Sequence, residues 1–109
     1  MQEMANLIEV VDQVREVLLR YKTISHRLVR RVEKDEPLVD ALNALHGSLQ
    51  RREVTEAIEE LEMARHQIRL AMFALGKAQG ASASELGRAL GISRQLAHRL
   101  VTEAVDTSD

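Results

Sequence analysis

The sequence predicts an all-α protein, and three observations support this fold class. Good helix formers fill long runs of the chain, with only one proline and five glycines among 109 residues. Apolar residues recur at steps of three and four, which is the spacing of one helix face. One Tyr, one Phe and no Trp mean that the core is built from aliphatic side chains. We expect long N-terminal helices that form a dimeric bundle, followed by a pair of short helices.

The first predicted helix covers about residues 3 to 34. Its apolar residues alternate steps of four and three, as in a heptad seam, and a second row at Val10, Val17 and Ile24 widens the stripe to a bundle face. A helix of roughly 48 Å is too long to bury this stripe against the rest of so small a chain. The expected partner is therefore a second copy. The predicted dimerisation residues are Leu7, Val11, Val14, Leu18, Tyr21 and Leu28.

Two further helices are predicted before the short pair. A break at 35–37 precedes four leucines with helical spacing, so a second helix begins near Pro37. Two interpretations of its end stay open: Gly47 ends it, or it continues into Gln50. A long third helix follows from about residue 53 to 79, and Gly80 ends it.

This organisation predicts two regions. Residues 1–52 form an N-terminal helical dimerisation or interaction region. Residues 53–109 form a C-terminal region made of the long linking helix and the two short helices. At 109 residues the chain has the usual size of one domain, or of a small module with an oligomerising extension.

The short C-terminal helices carry strong local signals. Ser82 and Glu85 have the spacing of a capping box, which starts a helix at about Ala83. Gly91 supplies the left-handed residue that ends it. Ser93 is suited to cap a second helix. The predicted inward side of that helix is Ala97, Leu100, Val101 and Ala104.

Residues 82–104 resemble the helix-turn-helix of bacterial DNA-binding regulators. In that family the first helix carries an apolar and then a small residue, here Leu86-Gly87, where the second helix crosses closely. The turn carries glycine and then an apolar residue, here Gly91-Ile92. Ala97 and Leu100 match the two further inward positions. The resemblance covers about a fifth of the chain, and it extends to the helix-turn-helix of sigma-factor and resolvase C-terminal domains.

The resemblance implies a set of DNA contacts. The second helix would lie in the major groove with its N-terminal end toward the base edges. Arg94 would then read guanine and Gln95 adenine, while Arg88 and Arg99 are better placed for phosphate. The complete set of predicted DNA-binding residues is Ser84, Arg88, Ser93, Arg94, Gln95, His98, Arg99 and Thr102.

The charge distribution fits a local DNA contact and a dimer. The chain carries a net charge of −2, but residues 76–101 hold four basic residues against one acidic residue, a local charge of +3. The tail after Val101 holds three acidic residues. A local positive field is what groove docking needs. Because one copy would make few phosphate contacts, a dimer is expected to supply the remaining affinity.

The sequence contains no pattern typical of an enzyme, a metal site or a cofactor site. There is no cysteine, so disulfides and cysteine-based zinc sites are excluded and a reducing, cytoplasmic location is expected. The four histidines lie far apart, and no glycine-rich phosphate loop occurs. We also expect no signal peptide and no membrane span.

The sequence thus favours a homodimeric bacterial transcription regulator that reads an inverted repeat in double-stranded DNA. Three alternatives remain open at this stage. One is a helical adaptor whose protein partner is a sigma factor or another transcription factor. Another is an architectural or plasmid-segregation protein that coats DNA. The third is an ordinary helical corner, which would use the same caps.

Overall fold

The computed structural model describes residues 1–107, and 87% of them lie in α-helices, with no strand in this range. The predicted all-α class is therefore confirmed. Ser108 and Asp109, the end of the predicted C-terminal region, lie outside the described residues. The five helices of the described part are α1 (Gln2–Glu33), α2 (Leu38–Ala44), α3 (Gly47–Ala78), α4 (Ala83–Leu90) and α5 (Arg94–Thr107).

The chain divides into two compact units. One is Ala5–Met63, called here the N-terminal unit. The other consists of Ala64–Asp109 together with Met1–Met4 and is called here the C-terminal unit. The division falls within α3, which is continuous from Gly47 to Ala78. The region boundary predicted between residues 52 and 53 also lies inside this helix.

Two residues other than glycine end helices in the N-terminal unit. After α1, Asp35 has a φ of 66°, and the amide of Glu36 donates to the carbonyl of Arg31 at 3.1 Å. The same two residues form an ion pair in which Arg31 Nη1 lies 3.1 Å from Glu36 Oε1. After α2, His46 has a φ of 53°. Asp and His tolerate this left-handed region better than most residues, so both breaks are conformationally accessible.

The predicted start of the third helix, at residue 53, is wrong. The second helix ends at Ala44, before Gly47, and α3 begins at Gly47 itself. The break is made by His46, whose carbonyl accepts from the amide of Gln50 at 3.1 Å and so opens the new helix.

The N-terminal unit has a small interior. Its buried apolar residues are Val14 of α1, Ala41 of α2 and Ala57 of α3. Among the predicted dimerisation residues, Val14 is buried within the chain, and Leu7 and Leu28 are half-buried. The other three predicted dimerisation residues, Val11, Leu18 and Tyr21, are exposed.

The C-terminal unit is built around Phe73 of α3, which is fully buried. The neighbouring buried residues come from two helices, so the cluster joins the second half of α3 to α5. Partly buried side chains from α4, the following turn and α5 close its edge. The cluster consists of Leu70, Phe73, Ala97, Leu100 and Ala104, with Leu86, Ile92, Leu96 and Val101 packed against it.

None of the described helices combines the length and the apolar composition that crossing a bilayer requires.

Candidate nucleic-acid interface

The start of α4 is fixed by a reciprocal pair of hydrogen bonds. The amide of Glu85 donates to Ser82 Oγ at 3.1 Å, and the amide of Ser82 donates to Glu85 Oε1 at 3.1 Å. The predicted capping box is therefore confirmed. The hydrogen bond from the Ser82 amide is the main reason that the pKa of the Glu85 carboxyl lies below its ordinary value, and the Ser82 side chain lowers it further.

Replacing Ser82 by alanine tests this cap. We expect Ser82→Ala to destabilise the C-terminal unit by about 1 kcal/mol, because the amide of Glu85 loses its acceptor. The pKa of Glu85 should rise only in part, since the backbone donor at residue 82 remains. Urea unfolding and an NMR titration of Glu85 measure the two effects. A variant with wild-type stability would contradict a role for this cap in holding α4.

The turn after α4 is made by backbone hydrogen bonds. Gly91 has a φ of 71°, and its amide donates to the carbonyl of Arg88 at 3.2 Å. The amide of Ile92 donates to the carbonyl of Gly87 at 2.9 Å, which completes a Schellman motif. Ser93 then caps α5, with its Oγ accepting from the amide of Leu96 at 3.1 Å. The predicted roles of Gly91 and Ser93 as helix caps are both confirmed.

The two short helices approach each other closely at one glycine. A Cβ atom placed on Gly87 would lie 2.9 Å from the Cβ of Ala97. Carbon atoms in contact normally stand about 3.5–4.0 Å apart, so no larger residue fits here without movement. α5 therefore packs against α4 through glycine and alanine, the two smallest residue types, and the inward side of α5 is fixed at Ala97.

A second glycine contact holds α4 on α3, and the sequence analysis did not identify it. A Cβ atom on Gly76 would lie 2.5 Å from Leu86 Cδ2. The leucine side chain thus occupies the space above a glycine in the last turns of α3. Gly80 ends that helix with a φ of 90°, and the amide of Ala81 donates to the carbonyl of Gly76 at 2.9 Å.

The predicted DNA-binding residues lie on α4, on the turn and on α5. Seven of the eight are exposed, and Ser84 is half-buried. The hydroxyl of Thr102 donates to the carbonyl of His98 at 3.0 Å within α5. The seven exposed members of the set are Arg88, Ser93, Arg94, Gln95, His98, Arg99 and Thr102.

One polar contact between α3 and α5 was missed by sequence reasoning. His66 Nε2 lies 2.8 Å from Glu103 Oε1, with 41% and 47% of the two side chains exposed. Residues 37 positions apart carry no periodic signal of their contact. The carboxylate of Glu103 is thereby held at the edge of α5 that adjoins α3.

Among the described residues, no group of three or more His, Cys, Asp or Glu side chains is placed to hold a metal ion. Comparison with known proteins finds no matching family model, no significantly similar curated protein and no significantly similar solved structure.

Proposed function

We propose that residues 82–104 form a helix-turn-helix that binds double-stranded DNA through the major groove. In this proposal the protein is a homodimeric bacterial transcription regulator that reads an inverted repeat. In this proposal the N-terminal end of α5 points toward the base edges. Arg94 donates to guanine O6 and N7, and Gln95 forms a bidentate pair with adenine. Arg88 and Arg99 bind phosphate oxygens.

The observation that carries the proposal is the packing of α5 across α4 at Gly87. This contact presents the inner side of α5 to the core through Ala97, while Arg94, Gln95 and His98 remain exposed. A helix held by its inner side, with an exposed basic and amide-bearing N-terminal end, has the shape and chemistry that the major groove accepts.

The local charge gives further support. Residues 76–101 carry four basic residues against one acidic residue, although the whole chain is acidic by two charges. Glu85, the acidic member, is bonded to the Ser82 cap at the start of α4. Because so few cations contact phosphate in one copy, two copies on one site are needed for tight binding at physiological salt.

Selection of bound fragments from a random pool of double-stranded DNA, at near-physiological salt, tests the proposal. The wild type should enrich a palindromic motif whose half-sites lie about 10–10.5 base pairs apart, or a multiple of that distance. Arg94→Ala/Gln95→Ala should enrich no motif, because the two base-reading side chains are gone. Circular dichroism should find the variant folded, since both residues are exposed.

A matched control removes the same two side-chain types elsewhere. Arg52→Ala/Gln67→Ala replaces two exposed residues of α3 and should enrich the wild-type motif. If folded wild-type protein enriches no sequence, or if the Arg94→Ala/Gln95→Ala variant enriches the same motif, specific reading by α5 is wrong.

The second candidate function is a helical adaptor that binds a transcription factor or a sigma factor. The observation that favours it is the large number of exposed apolar side chains on the N-terminal unit. The same double variant distinguishes the two functions. An adaptor would keep its protein complex when Arg94 and Gln95 are replaced, whereas a DNA reader would lose its motif.

A further inference from the structure

The outer side of α1 carries a row of apolar residues that the chain itself leaves uncovered. The inner side of this helix is buried or half-buried along most of its length, at Leu7, Val10, Val14, Val17, Ile24 and Leu28. A second row with heptad spacing runs beside it, and of its three polar members Arg15 and Lys22 are exposed while Ser25 is half-buried. Its apolar members, Ile8, Val11, Leu18, Val29 and Val32, are 43–58% exposed. The predicted dimer seam contained residues of both rows.

The N-terminal unit lacks the interior that a stable unit of its size needs. Of its three buried apolar residues, two are alanines, at positions 41 and 57. Small domains already bury a low fraction of their surface, so leaving a whole apolar row uncovered costs them much of their stabilisation. The row is therefore expected to be covered by another chain.

The charges along α1 are segregated by half. Residues 5–17 carry three acidic side chains and one basic side chain, a net charge of −2. Residues 18–33 carry five basic side chains and one acidic side chain, a net charge of +4. A helix with this distribution attracts a copy of itself only when the two run in opposite directions.

We propose that α1 of one copy packs antiparallel against α1 of a second copy through this outer row, about a two-fold axis near Arg20. This inference deepens the homodimer in the proposed function and rests on it. Over residues 8–32 the helix is about 36 Å long. At 5.4 Å per turn, the row therefore extends over between six and seven helical turns.

The positions of the apolar residues fit this axis. Ile8 and Val32 are equally far from Arg20 along the helix, so each lies beside the other across the two-fold axis. The same is true of Val11 and Val29. The apolar ends of one row therefore meet the apolar ends of the other.

The polar members of the row fit the same arrangement. Arg15 falls beside Ser25 of the second copy, and Lys22 falls beside Leu18 of the second copy. On the flank of this seam, Asp12 lies opposite position 28 of the second copy, which is two residues from the second copy's Arg30. A parallel pair would instead place Arg15 against Arg15 and Lys22 against Lys22, which like-charge repulsion disfavours.

Disulfide trapping tests the arrangement, and the absence of native cysteine makes each introduced thiol unique. Val11→Cys and Val29→Cys are prepared as separate proteins, allowed to exchange subunits and oxidised under mild conditions. Most of the mixed dimer should be cross-linked, because neighbouring positions reach the Cα separation of about 4.4–6.8 Å that a disulfide needs. Each variant alone should remain largely uncross-linked.

Val39→Cys is the matched control, since Val39 is 67% exposed but lies on α2. A mixture of Val39→Cys with Val29→Cys should give only background cross-linking. Efficient cross-linking of Val11→Cys with itself would mean parallel helices and would overturn the proposal. The proposal would also be overturned if the yield of cross-linking between Val11→Cys and Val29→Cys were no higher than the yield in the Val39→Cys control mixture.

Charge reversal supplies a second test, by sedimentation of the protein without DNA. Glu9→Lys/Asp12→Lys should raise the dimer Kd roughly tenfold to a hundredfold, because basic halves then face basic halves. Adding Arg27→Glu/Arg30→Glu in the same chain should restore the dimer. Wild-type affinity in the first variant, or no recovery in the second, would contradict an antiparallel seam.

The failure of this inference is distinguishable from failure of the proposed function. Loss of trapping together with an enriched DNA motif would remove the α1 seam and leave the DNA reader intact. Specific trapping without any enriched motif would establish the seam and reject the DNA-binding proposal.

Discussion

Phe73→Ala is expected to lower the free energy of unfolding of the C-terminal unit by about 3–5 kcal/mol. Phe73 is the one fully buried large side chain among the described residues, and it packs with residues of α3 and α5. Its removal leaves a cavity that small neighbours such as Ala97 and Ala104 cannot refill. Urea unfolding, followed by far-UV circular dichroism, measures the loss.

Leu75→Ala is the matched control for Phe73→Ala. Leu75 lies two residues away in the same helix but is 49% exposed. Its replacement should cost less than about 1 kcal/mol, because surface changes have small effects. Equal losses in the two variants would mean that Phe73 is not the centre of the C-terminal core.

Gly87→Val is expected to destabilise the C-terminal unit by about 2–3 kcal/mol. Even a single Cβ atom here would lie 2.9 Å from that of Ala97, and valine adds two further methyl groups. Neither backbone can yield without moving α4 away from α5. The loss should appear in urea unfolding, and in NMR as chemical-shift changes concentrated in α5.

Exchanging the glycine at position 87 with the alanine at position 97 distinguishes the effect of steric crowding on stability from the effect of helix propensity. In Gly87→Ala/Ala97→Gly the added methyl group faces the space left by the removed one. This double variant should be more stable than Gly87→Ala alone, although alanine at position 97 is itself the better helix former. If the double variant is no more stable than Gly87→Ala, the close approach of the two helices does not limit the size of residue 87.

The features predicted best from sequence were those fixed by neighbouring residues. Helix α1 begins and ends within one residue of its predicted bounds. The caps at Ser82 and Ser93 were also predicted, because each depends on one side chain and an amide three residues away. Gly91 was predicted because glycine is the usual left-handed residue after a helix. The inward positions of α5 followed from helical periodicity alone.

The missed break at His46 has a different cause. The sequence offered Gly47 as the residue best suited to a left-handed conformation at this point, because glycine has no Cβ atom. The chain instead places His46 at a φ of 53° and starts α3 on the glycine. No single-sequence pattern distinguishes a histidine that adopts this conformation from one inside a helix.

Contacts between distant parts of the chain could not be predicted either. The fit of Leu86 over Gly76 depends on how α4 returns onto α3, and the His66–Glu103 pair depends on the position of α5 along the same helix. The heptad seam of α1 was predicted as one row, whereas the structure divides its residues between a covered row and an exposed row.

The packing of α5 separates the residues that hold the C-terminal unit together from those that face outward. The helix is anchored by Ala97, Leu100 and Ala104, while Arg94, Gln95 and His98 are exposed. Substitutions at the outer positions therefore leave the folded scaffold unchanged. For the DNA reader proposed above, this division means that new base preferences can arise by successive single changes, each tolerated by the fold, without compensating mutations elsewhere.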